Sequence, residues 1–178
     1  MMDNRQYSAI DLAYVIISWD MSRKEEKDFL DFVWDQESAY LDPQYEGNRH
    51  KYVLDVSFWS HWLQDYYILD QEYPAIKNDF EALALKNCPL DLADEYRDLE
   101  LFFKVLRLKL VYLSKQKYVR IKLRTLLKRY GYKRRTAQLV GFFEKCMHYY
   151  GIEVFLKGNE RCRIADVKLD DMLIFRIE

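Results

Sequence analysis

The chain has 178 residues, half of them apolar or aromatic, with only 5 Gly and 3 Pro. That composition excludes a disordered tail and disfavours sandwiches and barrels, which need frequent turn residues. The formal net charge of −1 is a cancellation, because residues 1–100 hold 9 basic and 22 acidic side chains while residues 101–178 hold 19 and 7.

Such asymmetry points to a polyanion partner or to one half docking on the other. Cys88, Cys146 and Cys162 are odd in number and show no CxxC spacing, which excludes a conventional zinc ribbon and disfavours a disulfide framework. No apolar run approaches the ~20 residues of a bilayer span. The start MMDNRQYS lacks the basic-then-apolar order of a signal peptide. A cytoplasmic protein with reduced thiols and no membrane association is expected.

In the acidic half, Ser8 with Asp11 makes a capping-box-like helix start, followed by Ile10, Ala13, Tyr14 and Ile17 at helical spacing. Ser22 with Glu25 opens a second helix, whose stripe is Phe29, Leu30, Val33 and Tyr40 and which stops at Asp42-Pro43. Residues 43–50 read as a loop. A third helix is expected over 51–69 from Val56, Trp59, Trp62, Leu63, Tyr66 and Tyr67. A fourth runs from Pro74 through Phe80, Leu83 and Ala84 to Cys88-Pro89, and Asp91 caps a long fifth through Tyr96, Leu99, Phe102 and Phe103. Five amphipathic helices with short connections make a bundle-like domain.

The stretch 101–143 contains no Asp or Glu but thirteen Lys and Arg. Within it, 105–113 alternates like a strand and equally continues the fifth helix with its cations at the favourable C-terminal end; helix is preferred. Residues 114–117 read as a linker, and 118–121 as a short strand or the lead-in to a helix. Leu123, Leu126, Leu127 and Tyr130 form an i, i+3, i+4, i+7 stripe that Gly131 ends. After a turn at 132–135, a helix from about Thr136 carries Leu139, Val140, Phe143, Met147 and Tyr150 and stops at Gly151. Residues 152–156 read as a strand, 157–171 as a polar excursion and 172–177 as a closing strand.

The expected fold is therefore mainly α. An N-terminal helical bundle-like domain (1–113) precedes a C-terminal winged-helix-like domain (114–178) with a small β hairpin. In a winged helix-turn-helix one helix enters the major groove and the hairpin tip touches the DNA backbone. Lys122, Arg124, Lys128, Arg129, Lys133, Arg134 and Arg135 are then the expected phosphate contacts, Gln138 the side chain reaching a base edge, and Lys157, Arg161 and Arg163 the wing contacts.

The run Arg124-x-Leu126-Leu127-x-x-Tyr130-Gly131-x-x-Arg134-Arg135 resembles a small module of bacterial proteins associated with restriction and genome defence. Its pattern is R-x-L-L-x-x-F-G-x-x-R-R-G, followed by an amphipathic helix and a short β segment, and Ile174-Phe175 resembles its closing apolar pair. Thr136 stands where the pattern has Gly, and the Pro that follows its second helix is missing. The resemblance covers about the last third of the chain. It implies a helix-turn-helix-like accessory module and contributes no catalytic residue.

An enzyme is the weaker expectation. His61 and Asp65, four apart on a helix, are suited to be two metal ligands, with His50 and Asp55 near in sequence, but no third ligand stands out. No Gly-rich phosphate loop, GxSxG or Cys/His pairing is present. No catalytic residue, cofactor or metal site is assigned. The leading expectation is a non-enzymatic nucleic-acid-binding protein, DNA preferred over RNA. The alternative is an adaptor or scaffold subunit that contacts a protein or itself through residues 1–100, with exposed aromatics such as Trp59 or Trp62 and the basic face docking on a protein.

Overall fold

The computed structural model describes residues 6–72 and 97–177, with the backbone alone at 65–72, 97 and 98. The chain divides into two compact units, Met1–Glu95 and Tyr96–Glu178. The described residues are mainly helical, with one small antiparallel sheet.

In the first unit, α1 (Ala9–Ser18) starts at a capping box in which Ser8 and Asp11 satisfy each other's amides. The second capping box, Ser22 with Glu25, starts α2 (Arg23–Gln36). Hydrogen bonds from the Ser22 hydroxyl and amide hold the Glu25 carboxyl below its ordinary range. α2 ends before Tyr40, which lies in a 3-10 turn, Ser38–Tyr40, and so does not extend the stripe of Phe29, Leu30 and Val33. The expected loop at 43–50 contains a second 3-10 turn, Pro43–Tyr45, and α3 (Arg49–Glu72) begins two residues earlier than its apolar spacing implies.

Helix α1 packs on α3, burying Leu12, Ala13 and Ile16 together with Tyr52 and Val56. Buried phenols find acceptors: Tyr52 donates to the Leu30 carbonyl at 3.3 Å, Tyr45 to Asp55 at 3.1 Å and Tyr7 to the buried Glu37 at 3.3 Å. Burial pushes the Tyr52 and Tyr45 hydroxyls well above the usual phenol range. The helix expected from Pro74 to Cys88-Pro89, and the cap at Asp91, lie outside the described residues.

The second unit opens with α4 (Arg97–Leu108), which runs into a π-helical turn, Lys109–Leu113. The strand-like alternative for 105–113 therefore fails. Arg107 is buried along with Leu106, Leu108 and Leu110, so the leucine–cation alternation does not mark the inner and outer faces of a strand. Because α4 belongs to this unit, the expected boundary between 113 and 114 falls inside it.

Next come β1 (Val119–Lys122), α5 (Leu123–Arg129), α6 (Ala137–Tyr149), β2 (Ile152–Phe155) and β3 (Met172–Ile177). The sheet order is β1-β3-β2, both pairings antiparallel, with Val119 opposite Phe175 and Ile152 opposite Ile177. The expected hairpin is thus the β2–β3 pair, and β1 adds a third strand. Residues 157–171 are not uniformly polar, since Ile164 and Val167 are buried.

Phe103 and Phe143 meet edge-on at 5.3 Å, and Phe102 touches the rings of Tyr130 at 5.8 Å and Phe175 at 6.4 Å, joining α4 to α5's C-terminus, α6 and β3. α5 closes in a Schellman arrangement: Gly131 (φ +78°) bonds the Lys128 carbonyl at 3.2 Å and Tyr132 the Leu127 carbonyl at 2.9 Å. Among the described residues no helix is long and apolar enough to cross a membrane.

Candidate nucleic-acid interface

The thirteen cations of 101–143 have different roles. Lys104 and Arg107 on α4 are buried at 4% and 9% exposure. Arg107 donates to the Tyr150 carbonyl at 2.5 Å, capping the C-terminal end of α6, where a cation also suits the helix dipole. A Cβ added to Gly151 would stand 3.5 Å from the same guanidinium.

Arg124, in the first turn of α5, makes a two-pronged bond to Asp170, at 2.7 and 2.9 Å, with both side chains exposed. The hydrogen bond from Arg124 holds the Asp170 carboxyl below its ordinary range. Arg135 is half-buried and donates to the Ile164 carbonyl at 2.8 Å and to the Val167 carbonyl, tying the α5–α6 turn to the β2–β3 connection. Arg120 lies 4.7 Å over the Tyr118 ring.

Of the expected phosphate contacts, then, Arg124 and Arg135 are engaged within the chain. Lys122, Lys128, Arg129, Lys133 and Arg134 are exposed, and none forms an ion pair among the described residues. The last four surround the α5–α6 turn. Lys128 and Arg129 also sit in the last turn of α5, where the dipole favours cations whatever the partner.

Thr136 caps α6, its hydroxyl accepting from the Leu139 amide at 3.2 Å. The amides of Ala137 and Gln138 have no intrahelical acceptor, as in any first turn, and Gln138 is exposed beside them. The apolar face of α6 is buried through Leu139, Phe143, Cys146 and Met147. Its outer face carries three residues that the sequence reading did not single out, Gly141, Lys145 and His148. The available signal was a Gly inside an otherwise helical pattern.

At the expected wing the chain turns tightly, Leu156 donating to the Glu160 carbonyl at 2.8 Å, then runs back along β2 as Cys162 donates to the Val154 carbonyl at 3.1 Å. Lys157 stands exposed at this turn. Arg161 pairs with Glu153 at 2.7 Å and Arg163 with Glu144 at 3.6 Å, so the two wing arginines have carboxylate partners.

In the first unit a groove of about 1390 Å³ lies along α3 and is lined by residues that include His50, Val53, Ser60 and His61. Among the described residues no three His, Cys, Asp or Glu side chains group as metal ligands, and the Asp65 side chain lies outside them. Trp59 and Trp62 are half-buried and pack edge-on at 5.4 Å. Among the described side chains of α3 the large apolar ones that stand exposed are instead Leu54 and Phe58, 54% and 61% exposed. No protein family, curated protein or solved structure matches this chain.

Proposed function

We propose that residues 96–178 form a winged helix-turn-helix that binds duplex DNA, with α6 as the helix entering the major groove. The observation that carries the reading is the order helix, strand, helix, helix, strand, strand with sheet order β1-β3-β2, joined to a turn ringed by Lys128, Arg129, Lys133 and Arg134. The first three helices of a winged helix are then α4, α5 and α6, and the wing is the β2–β3 connection carrying Lys157. Phosphate contacts come from the four turn cations and Lys122, and Gln138 reaches base edges from the first turn of α6. The resemblance of 124–135 to the restriction-associated module adds the expectation of an accessory or regulatory component of a bacterial system.

The test is binding of a random-sequence duplex by the whole chain at about 50 and 200 mM salt. Binding that falls steeply with salt supports the reading, and no binding at the lower salt removes it.

A second reading has its own observation. Leu54 and Phe58 are one turn apart on α3 and both more than half exposed, where a self-sufficient surface helix would carry polar side chains. This favours self-association of the acidic half. Sedimentation across a hundredfold concentration range is expected to show a dimer that Leu54→Ser with Phe58→Ser abolishes. A monomer throughout eliminates this reading.

A further inference from the structure

Gly141 lies mid-way along α6, where glycine is the poorest helix former after proline. None of the usual reasons for glycine applies. Its backbone is not in the left-handed region, unlike Gly131 and Gly151, and an added Cβ would meet nothing within 4 Å. Alanine would serve the fold better.

At 100° per residue Gly141 points about 200° round the helix from the buried Phe143, the centre of the outward face. Gln138, Lys145 and His148 flank it within one narrow sector, all exposed. The one carboxylate of α6, Glu144, lies at the edge of that face and is engaged by Arg163 at 3.6 Å. The face is therefore polar with one formal cation, Lys145, a gap at its middle, and the exposed cations Lys128, Arg129, Lys133 and Arg134 of the α5–α6 turn at one end. That charge is complementary to phosphate.

We propose that Gly141 is the point of closest approach to a bound B-form duplex, its missing side chain letting α6 sit deeper in the major groove than a larger residue allows. The proposal rests on the DNA-binding reading of this unit and sharpens it towards DNA. A helix with its side chains is about 10–12 Å across and the B-form major groove about 12 Å wide, so clearance is scarce. The deep, narrow major groove of A-form RNA excludes the helix altogether. Lys145 and His148 then follow the groove from the end opposite Gln138.

The experiment compares the full chain with its Gly141→Ala and Gly141→Leu variants, by thermal melting and by titration of duplex DNA and of an RNA duplex of the same sequence. Both variants are expected to melt at or above the original temperature. The Leu variant should bind duplex DNA about tenfold or more weakly, the worth of one base contact. The slope of affinity against salt stays unchanged, because no phosphate contact is lost. RNA should bind more weakly and respond little to the substitution. Undiminished DNA binding by the Leu variant overturns the proposal while leaving the DNA-binding reading intact. A lowered melting temperature, or equal losses on DNA and RNA, overturns it too. Failure of the unsubstituted chain to bind any duplex removes both.

Discussion

Replacing Lys128, Arg129, Lys133 and Arg134 together by Ala removes four exposed cations that no carboxylate among the described residues engages. Each such substitution moves stability by about 0.5 kcal/mol, and Lys128 and Arg129 also lose a favourable place at the α5 C-terminus. The four together cost about 2 kcal/mol at most, and a thermal melt of the variant checks that it is folded at the assay temperature. If each cation neutralises one phosphate, the logarithm of affinity loses about 0.9 of slope against the logarithm of salt per cation, roughly 3.6 for the four. Between about 50 and 200 mM salt, the unsubstituted chain should therefore lose roughly 150-fold more affinity than the variant. Fluorescence anisotropy of a labelled duplex at four or more salt concentrations measures both slopes. Arg135→Ala is the control, because its guanidinium serves two carbonyls, Ile164 and Val167, and not solvent. It should lower stability by about 2–3 kcal/mol, as loss of hydrogen bonds from a charged donor does, and leave the slope as it was. Parallel lines for the quadruple variant and the original chain would refute the assignment of the turn as the phosphate-binding surface.

Two further outcomes test the internal roles of the remaining cations. Because bonding to Arg124 lowers the Asp170 pKa, their pair contributes stability above the ordinary carboxylate range, and that contribution is lost as pH falls through the folded-state pKa. An NMR titration should find the Asp170 carboxyl below the usual value of about 3.9 and restored towards it in Arg124→Gln; identical midpoints in the two chains would contradict the pair. Arg107→Met keeps the aliphatic stem but deletes the donor to the Tyr150 carbonyl, so chemical denaturation should show a loss of about 2–3 kcal/mol, with the salt slope of DNA binding unaltered. A loss below about 0.5 kcal/mol would show that the cap contributes little.

The outer face of α6 was only partly legible before the fold was known. Gln138 stood out through its place in the first turn, whereas Lys145 and His148 resemble any solvated helical positions. Gly141 carried a signal, but a Gly inside a helical pattern is equally compatible with a buried close contact. Only the empty space around its Cβ position, and the orientation of Phe143 towards the core, separate the two. The helix expected over 74–89 lies outside the described residues.

What the residues determined by themselves was local. Ser8 with Asp11, Ser22 with Glu25, Thr136, Gly131 and Gly151 mark helix ends because capping is settled within a few residues of the chain. The stripe Leu123, Leu126 and Leu127 specified its helix through period alone. Tertiary structure decided the rest. β1 is a strand because β3, some fifty residues later, supplies its hydrogen bonds, and no local pattern contains that partner. It also sorted cations that composition treats as equal: Arg107 finds Tyr150, Arg124 finds Asp170 and Arg135 finds Ile164, each at least 29 residues away. A charge's partner is set by three-dimensional proximity, which periodicity does not encode, so which cations remain free for a phosphate was a property of the fold.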